Sequence, residues 1–480
     1  MKKILGIVLF LLCISNMQAQ QWIDRKYSYD SVLNVYYGSA VNFNGSSDSL
    51  FLDIYLPRCD DSAHTSKRPL MLWIHGGAFL AGNKEDASIQ DLCKQFAQRG
   101  YVTASINYRL GFVADSKSRQ CNFPNYPCIF AADSAEWIRA YYRAVQDGKG
   151  ALRYLLNRHS QYRIDTDNIF ISGESAGAIT GLGVALMDTT LERPPHTYAL
   201  NSVALPHSNT NACPYNSGKT FSGSSISRPD LGSIEGDIEP SSVKYTIKGI
   251  GNIYGAMYSD LLKHHKAGSA KPAIYSFHQP CDIVVPIDSG TVYWGLSWCF
   301  TNGYNCGAVA GNNVLLYGSR AISQWNTTRS YGYTIQNAFT TTNFPYNFLF
   351  GTGSCSDQVN NPCHAYDNRN KRIGELVNFF APLVSTSPVC DPSLSTPFIE
   401  KNRIIFTVYP NPAEDAVHIK IAGPETLYKI ELSDITGRLL MQMTELTNTL
   451  NIPLQNMNAG LYQIKISGPS GSSIQKIVIR

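Results

Sequence analysis

Residues 171–178 read ISGESAGA, and the fold turns on how this stretch is understood. Before it lies NIFISG (168–173), a short apolar run of strand type. After Ser175 the chain continues as AITGLGVALM (178–187), an apolar stretch of helical length. Gly173, Glu174, Ser175, Ala176 and Gly177 spell G-x-S-x-G. A sharp strand-to-helix turn excludes large side chains on either side of the serine, and the same turn lifts a hydroxyl above a sheet edge. The motif alone leaves both readings open: a nucleophile on display, or an inert serine in a tight turn.

Working outward, short apolar runs alternate with helical segments from about residue 68 to 375. PLMLWIHGG (69–77) is strand-like and ends at glycines, ASIQDLCKQFAQRG (87–100) is an amphipathic helix, and YVTASINY (101–108) is a second strand. AVQDGKGALRYLLNRHS (144–160) and RIGELVNFFAPLV (372–384) read as helices, and AIYSFH (273–278) as a strand. Such alternation predicts an α/β fold, with a mostly parallel sheet flanked by helices. At 384–402 the texture becomes VSTSPVCDPSLSTPFIEKN, a Ser/Thr/Pro-rich linker. Beyond it IIFTVYPNP, AVHIKIAG, YKIELSD, LYQIKISG and IQKIVIR alternate with period two, which predicts a small all-β sandwich.

The remaining features bound the setting. A chain of 480 residues exceeds one core, and 44% hydrophobic with 16% charged residues is an ordinary globular composition. A net charge of +4 without a long basic run argues against nucleic acid or an anionic membrane as a partner. At the N-terminus MKK precedes ILGIVLFLLCI and SNMQAQ, a signal-peptide pattern with cleavage expected after Ala19. No other stretch has the length and apolarity of a transmembrane helix. The expected organisation is a signal peptide (1–19), a catalytic domain (20–385), a linker (386–404) and a β-domain (405–480), in an exported protein.

Export makes the cysteines candidates for disulfides. Close spacing predicts the loops Cys121–Cys128, Cys299–Cys306 and Cys355–Cys363, and no second Cys or His pair accompanies them at metal-site spacing. Twelve cysteines less Cys13, lost with the leader, leave an odd number, and Cys93 is the candidate for a buried free thiol. Cys281 is expected to brace its loop through a disulfide.

Residues about 30–385 resemble the α/β-hydrolase carboxylesterases and lipases that carry an HGG(G/A) motif. The resemblance rests on WIHGGAF, INYRLG, QDGKGALRYL, IDTDNIFISGESAGA and the H-x-x-x-D-x-x-V-P pattern at His278–Pro286, all in order. The third glycine of HGGG is here Ala78. The resemblance implies an oxyanion hole made by the N–H groups of Gly77, Ala78 and Ala176, with His75 and Gly76 shaping the turn. It also implies the chain order Ser, acid, His. His264, His265 and His278 lie before or beside the best acid, and His418 lies in the β-tail, which leaves His364 ahead of the last helix. Asp282, after the strand AIYSFH, is preferred as the acid to Asp288, and His278 is read as structural.

The tail resembles the C-terminal sorting domain of the type IX secretion system of Bacteroidetes, through VYPNPAEDAVHIKI, ELSDITGRLLMQ and NMNAGLYQIKI. This implies the type IX machinery as a partner and release or cell-surface attachment. The leading expectation is a serine esterase with a Ser175, Asp282, His364 triad and no metal or organic cofactor. The alternatives are a serine peptidase on the same fold and a non-catalytic binding protein. The ester itself is not legible in the sequence.

Overall fold

Two antiparallel strands open the fold, β1 (Tyr29–Val41) and β2 (Ser47–Pro57). They are followed by β3 (Arg68–Ile74), α1 (Ala87–Ala97), β4 (Val102–Ile106), α2 (Ser134–Asn157), β5 (Ile164–Glu174) and α3 (Ala176–Leu186). Then come β6 (Ile247–Ile253), β7 (Ala273–His278), α4 (Ser319–Thr328), β8 (Ile335–Phe339) and α5 (Arg369–Phe380). This computed structural model describes residues 22–58, 67–115, 129–205, 223–265, 269–293, 300–301, 304–305, 313–340, 363–386, 406–421, 426–434, 438–455, 457–468 and 471–480. The expected signal peptide, most of the linker, and Cys121, Cys128, Cys299, Cys306 and Cys355 lie outside the described residues.

The eight strands form one sheet in the order β1-β2-β4-β3-β5-β6-β7-β8. β2 pairs antiparallel with β4, and every pairing from β4 through β8 is parallel. β3, β4 and β7 are buried along their whole length, as strands covered on both faces must be. β3 splits its side chains by strict alternation. Leu70, Leu72 and Ile74 join Trp137, Tyr141, Ile179 and Leu182 of α2 and α3 on one face. Met71 and Trp73 join Leu92, Phe96, Leu376 and Phe380 of α1 and α5 on the other. The helices therefore flank both faces of the α/β sheet, as the sequence predicts.

Four strands of this sheet, β1, β2, β6 and β8, escape the sequence reading. β6 is IKGIGNI, whose glycines look like loop but serve close approach. A Cβ on Gly251 would stand 2.1 Å from Ser172 Oγ, and one on Gly249 would stand 2.7 Å from the Phe380 ring. β1 is exposed over much of its length as an edge strand, so its apolar residues do not form a buried run. The expected helix at 144–160 is the C-terminal part of α2, which begins at Ser134 where Asp133 caps the Glu136 N–H.

The INYRLG and QDGKGALRYL segments meet in a buried ion pair. Arg109 Nη2 stands 2.7 Å from Asp147 Oδ1, and the Arg109 backbone N–H donates to Asp147 Oδ2 at 2.7 Å. Asp147 is fully buried and Arg109 nearly so.

The chain divides into two compact units, Met1–Pro397 and Phe398–Arg480. Among its described residues the second has seven strands: β9 (Phe406–Tyr409), β10 (Ala416–Ile421), β11 (Thr426–Asp434), β12 (Leu439–Thr447), β13 (Thr449–Pro453), β14 (Gly460–Gly468) and β15 (Gly471–Ile479). Two antiparallel sheets, β9-β10-β13 and β12-β11-β14-β15, share a core of Val417, Ile419, Ile452, Ile430, Ile464, Ile466 and Ile477. β12 and β13 were not anticipated, because β12 is largely exposed and lacks an apolar stripe.

Removing one member of a buried pair strands the other charge, at a cost of about 3–5 kcal/mol. Asp147→Ala should therefore lose stability of that order in urea unfolding, and a loss below about 1 kcal/mol would contradict the pairing.

Candidate active site

β5 ends at Glu174 and α3 starts at Ala176, so Ser175 alone makes the turn. Its φ is 56° and ψ −124°, a conformation that costs a non-glycine residue about 1–3 kcal/mol. Sterics explain the flanking glycines. A Cβ on Gly173 would lie 2.4 Å from the Gly177 carbonyl carbon, and one on Gly177 would lie 2.1 Å from the Ile74 carbonyl oxygen. The ends of β3 and β5 and the start of α3 are thus packed backbone on backbone. The Ser175 N–H donates to the Ile253 carbonyl of β6 at 3.0 Å, which ties the turn to the neighbouring strand.

The histidine and the acid meet above this turn. His364 Nε2 is 2.7 Å from Ser175 Oγ, and its Nδ1 is 2.7 Å from Asp282 Oδ2. Asp282 is buried, and its Oδ1 accepts from the Val284 and Val285 N–H groups at 2.8 and 3.0 Å. Burial pushes its carboxyl upward, but the neighbouring His364, with hydrogen bonds from His278 and His364, outweighs it and holds the group below the usual carboxylate range. The three residues singled out in the sequence are therefore brought into one line. Asp288 is elsewhere, paired with Arg320 at 2.7 Å.

His278 is fully buried, with Nε2 3.1 Å from the Val285 carbonyl and 3.3 Å from Asp282 Oδ2. Those acceptors put its proton on Nε2, so Nδ1 accepts from Ser319 Oγ at 3.0 Å. Ser319 in turn accepts from Asn252 Nδ2 at 3.1 Å. His278 is a support for the acid, as its place in the sequence predicts, whereas Ser319 and Asn252 carried no sequence signal.

The HGGAF loop lies against the serine: a Cβ on Gly76 would be 3.2 Å from Ser175 Cβ. Gly77, Ala78 and Phe79 all have positive φ, at 105°, 59° and 61°. For Ala78 and Phe79 this is strain, and the packing of Phe79 holds it. Its ring meets Trp137 edge-on at 5.0 Å and Tyr108 and Tyr141 at 6.3 Å, contacts of about 0.5–1.5 kcal/mol each. The Leu80 and Ala81 N–H groups close the loop onto the Gly77 carbonyl, both at 2.9 Å. Ala176, as the first residue of α3, has an N–H without an intrahelical acceptor. His75 stacks on Tyr108 with ring centroids 4.4 Å apart, and its Nδ1 donates to the Gly76 carbonyl at 2.7 Å.

Two anchors were not foreseen. Glu174 Oε1 accepts from Ser88 and Tyr366 hydroxyls, each at 2.8 Å, which ties the histidine segment to the serine turn. Burial raises its carboxyl, with the Ser88 and Tyr366 hydrogen bonds acting against that rise. The second is a correction: Cys363 is bonded to Cys281, so the expected Cys355–Cys363 bridge is not formed. The reason is spatial, since the fold brings the acid and histidine segments together from 82 residues apart. Cys281 does brace its loop, and Cys93 is a buried free thiol.

Residues 52–120 and 137–207 match the family described as BD-FAE, and residues 407–480 match the secretion system C-terminal sorting domain. Neither match covers half of the chain: the first falls within the unit that carries the parallel sheet, and the second within the unit of antiparallel strands. Among curated relatives, this chain is 28% identical over 138 residues to the para-nitrobenzyl esterase of Bacillus subtilis, covering 28% of this chain and 24% of that protein. It is 28% identical over 177 residues to the bile salt-activated lipase of Bos taurus, covering 36% and 26%. The matched region spans about a quarter of these relatives' length. Among solved structures, Thermogutta terrifontis esterase 2 phosphorylated by paraoxon overlaps 73% of this chain and 96% of its own, at 15% identity and a TM-score of 0.37. Among the described residues, no helix is long and apolar enough to cross a membrane.

The site's acid sensitivity has a testable part. Burial lowers His75 from 6.5 to about 4, against the Gly76 hydrogen bond. The unfolded chain then takes up the proton first. Stability due to neutral His75 is complete above pH 6.5 and drains as the pH falls towards 4, by about 3 kcal/mol at 1.36 kcal/mol per unit. In urea titrations His75→Gln should show a shallower loss of stability across that window than the parent protein. Equal slopes would count against it.

Proposed function

We propose that the chain is an exported serine carboxylic-ester hydrolase that works through an acyl-enzyme. The observation that carries this reading is the unbroken line Ser175 Oγ, His364 and Asp282, with both contacts at 2.7 Å, on a strained strand-to-helix turn. Relatives described as esterases and lipases support the same class.

In this reading Ser175 Oγ attacks the ester carbonyl while His364 Nε2 takes its proton. The carbonyl oxygen becomes an oxyanion in front of the Gly77, Ala78 and Ala176 N–H groups. Donors fixed in advance cost no reorganisation, and one such donor is worth about 3–4 kcal/mol in the transition state. The strained, aromatic-braced loop at 77–79 supplies that rigidity. His364 then passes its proton to the leaving alcohol, and the acyl group stays on Ser175. A water enters, His364 takes its proton, and the acid leaves as Ser175 is reprotonated. Asp282 keeps Nδ1 protonated and faces the imidazolium with a fixed negative charge. None of these steps calls for a metal or organic cofactor. The sorting domain supports a route through type IX secretion machinery to the surface or medium.

Ser175→Ala should abolish hydrolysis of short p-nitrophenyl esters and labelling by a fluorophosphonate probe, with circular dichroism unchanged. Retained activity in that variant would overturn the assignment. Turnover of peptide p-nitroanilides at rates comparable to the esters would favour a peptidase instead.

A further inference from the structure

The cysteines that form the described disulfide occupy two particular places. Cys281 immediately precedes Asp282, and Cys363 immediately precedes His364. Their Cα atoms are 5.5 Å apart. Together with the His364 Nδ1 contact to Asp282, the bridge therefore completes a small ring: sulfur joins the two backbones on one side and the acid–base hydrogen bond joins them on the other.

The rest of the histidine segment is held from the C-terminal direction. Gln279 Nε2 donates to the Ala365 carbonyl at 2.8 Å, the Tyr366 hydroxyl donates to Glu174, and Arg369 Nη2 donates to the Ser88 carbonyl at 3.0 Å. Cys363 secures the other side of His364, with the backbone there in the left-handed region at φ 54°. Cys363 is buried, at 3% exposure, and Cys281 is partly exposed. A cross-link between any distant loops could stabilise a fold. This one, adjoining both residues of the acid–base pair, also sets their separation.

We infer that the Cys281–Cys363 disulfide is a positioning element of the catalytic site, holding His364 in register with both Asp282 and Ser175. The inference rests on the triad reading above. In that frame the bridge is not one of the reacting groups; it acts through the loop that carries the base. Loss of the bridge lets the imidazole drift, and a displacement near 1 Å in a catalytic group can cost about a hundredfold in rate. The positioning role therefore predicts an effect on kcat rather than on KM.

The test is steady-state hydrolysis of p-nitrophenyl acetate by the Cys281→Ala/Cys363→Ala double variant, well below its unfolding midpoint. The expected result is a fall in kcat of about 10- to 100-fold with KM within threefold, and a matching slowdown in fluorophosphonate labelling. Asp147→Ala serves as the comparison, because it lowers the midpoint without touching the site and should keep kcat within threefold. If the double variant yields too little folded protein, Cys281→Ala alone carries the same expectation. A folded variant with parental kcat overturns the positioning role, as does a loss of kcat no larger than that of an equally destabilised Asp147→Ala. Ser175→Ala and His364→Ala run alongside: if either keeps full activity, it is the triad reading that fails.

Discussion

Backbone-to-backbone contact between the ends of β3 and β5 and the start of α3 is the constraint from which the site follows. With Gly177 against the Ile74 carbonyl, no side chain can separate the two strands from the helix. That closeness forces the reversal of direction into the single residue Ser175, and so forces its positive φ. It also brings the loop after β3, with Gly76, alongside the serine. Ser175 and the loop after β3 thus become neighbours through packing of the sheet, before any side-chain chemistry is considered.

The supports around this centre come from different depths of the molecule. Beneath the acid, a buried chain runs from Asn252 on β6 through Ser319 of α4 to His278 at the end of β7. Behind the loop at 77–79, aromatic rings from α2 keep two non-glycine residues in a strained conformation. Between serine and histidine, buried Glu174 holds Tyr366. Each support holds one part of the Ser175, His364 and Asp282 arrangement in place.

The parallel core was legible because β3, β4, β5 and β7 are buried on both faces and so are nearly continuous apolar runs. Ser175, Asp282 and His364 were legible because chain order in this fold restricts the choice of acid and base. What the sequence hid has physical causes. β6 needs glycine for close packing and therefore resembles a loop, while β1 and β12 are exposed and lack a clean stripe. Cysteine spacing pointed Cys363 towards Cys355, because spacing measures distance along the chain and says nothing of which segments the fold brings together. Glu174 is visible in the motif, yet its partners Ser88 and Tyr366 are remote in sequence, and nothing in either local stretch marks them.

The surroundings of Asp282 bear on where protons can rest. A carboxylate offers about four lone-pair positions. Here the Val284 and Val285 N–H groups and His364 Nδ1 point at it, with His278 Nε2 beside it at 3.3 Å. Its acceptor capacity is filled by donors, much as an ion is filled by its solvation shell. A proton arriving at Asp282 would have to evict one of them. The carboxylate is consequently a charge without a vacancy, and in the proposed reaction the proton taken from Ser175 stops at the imidazole.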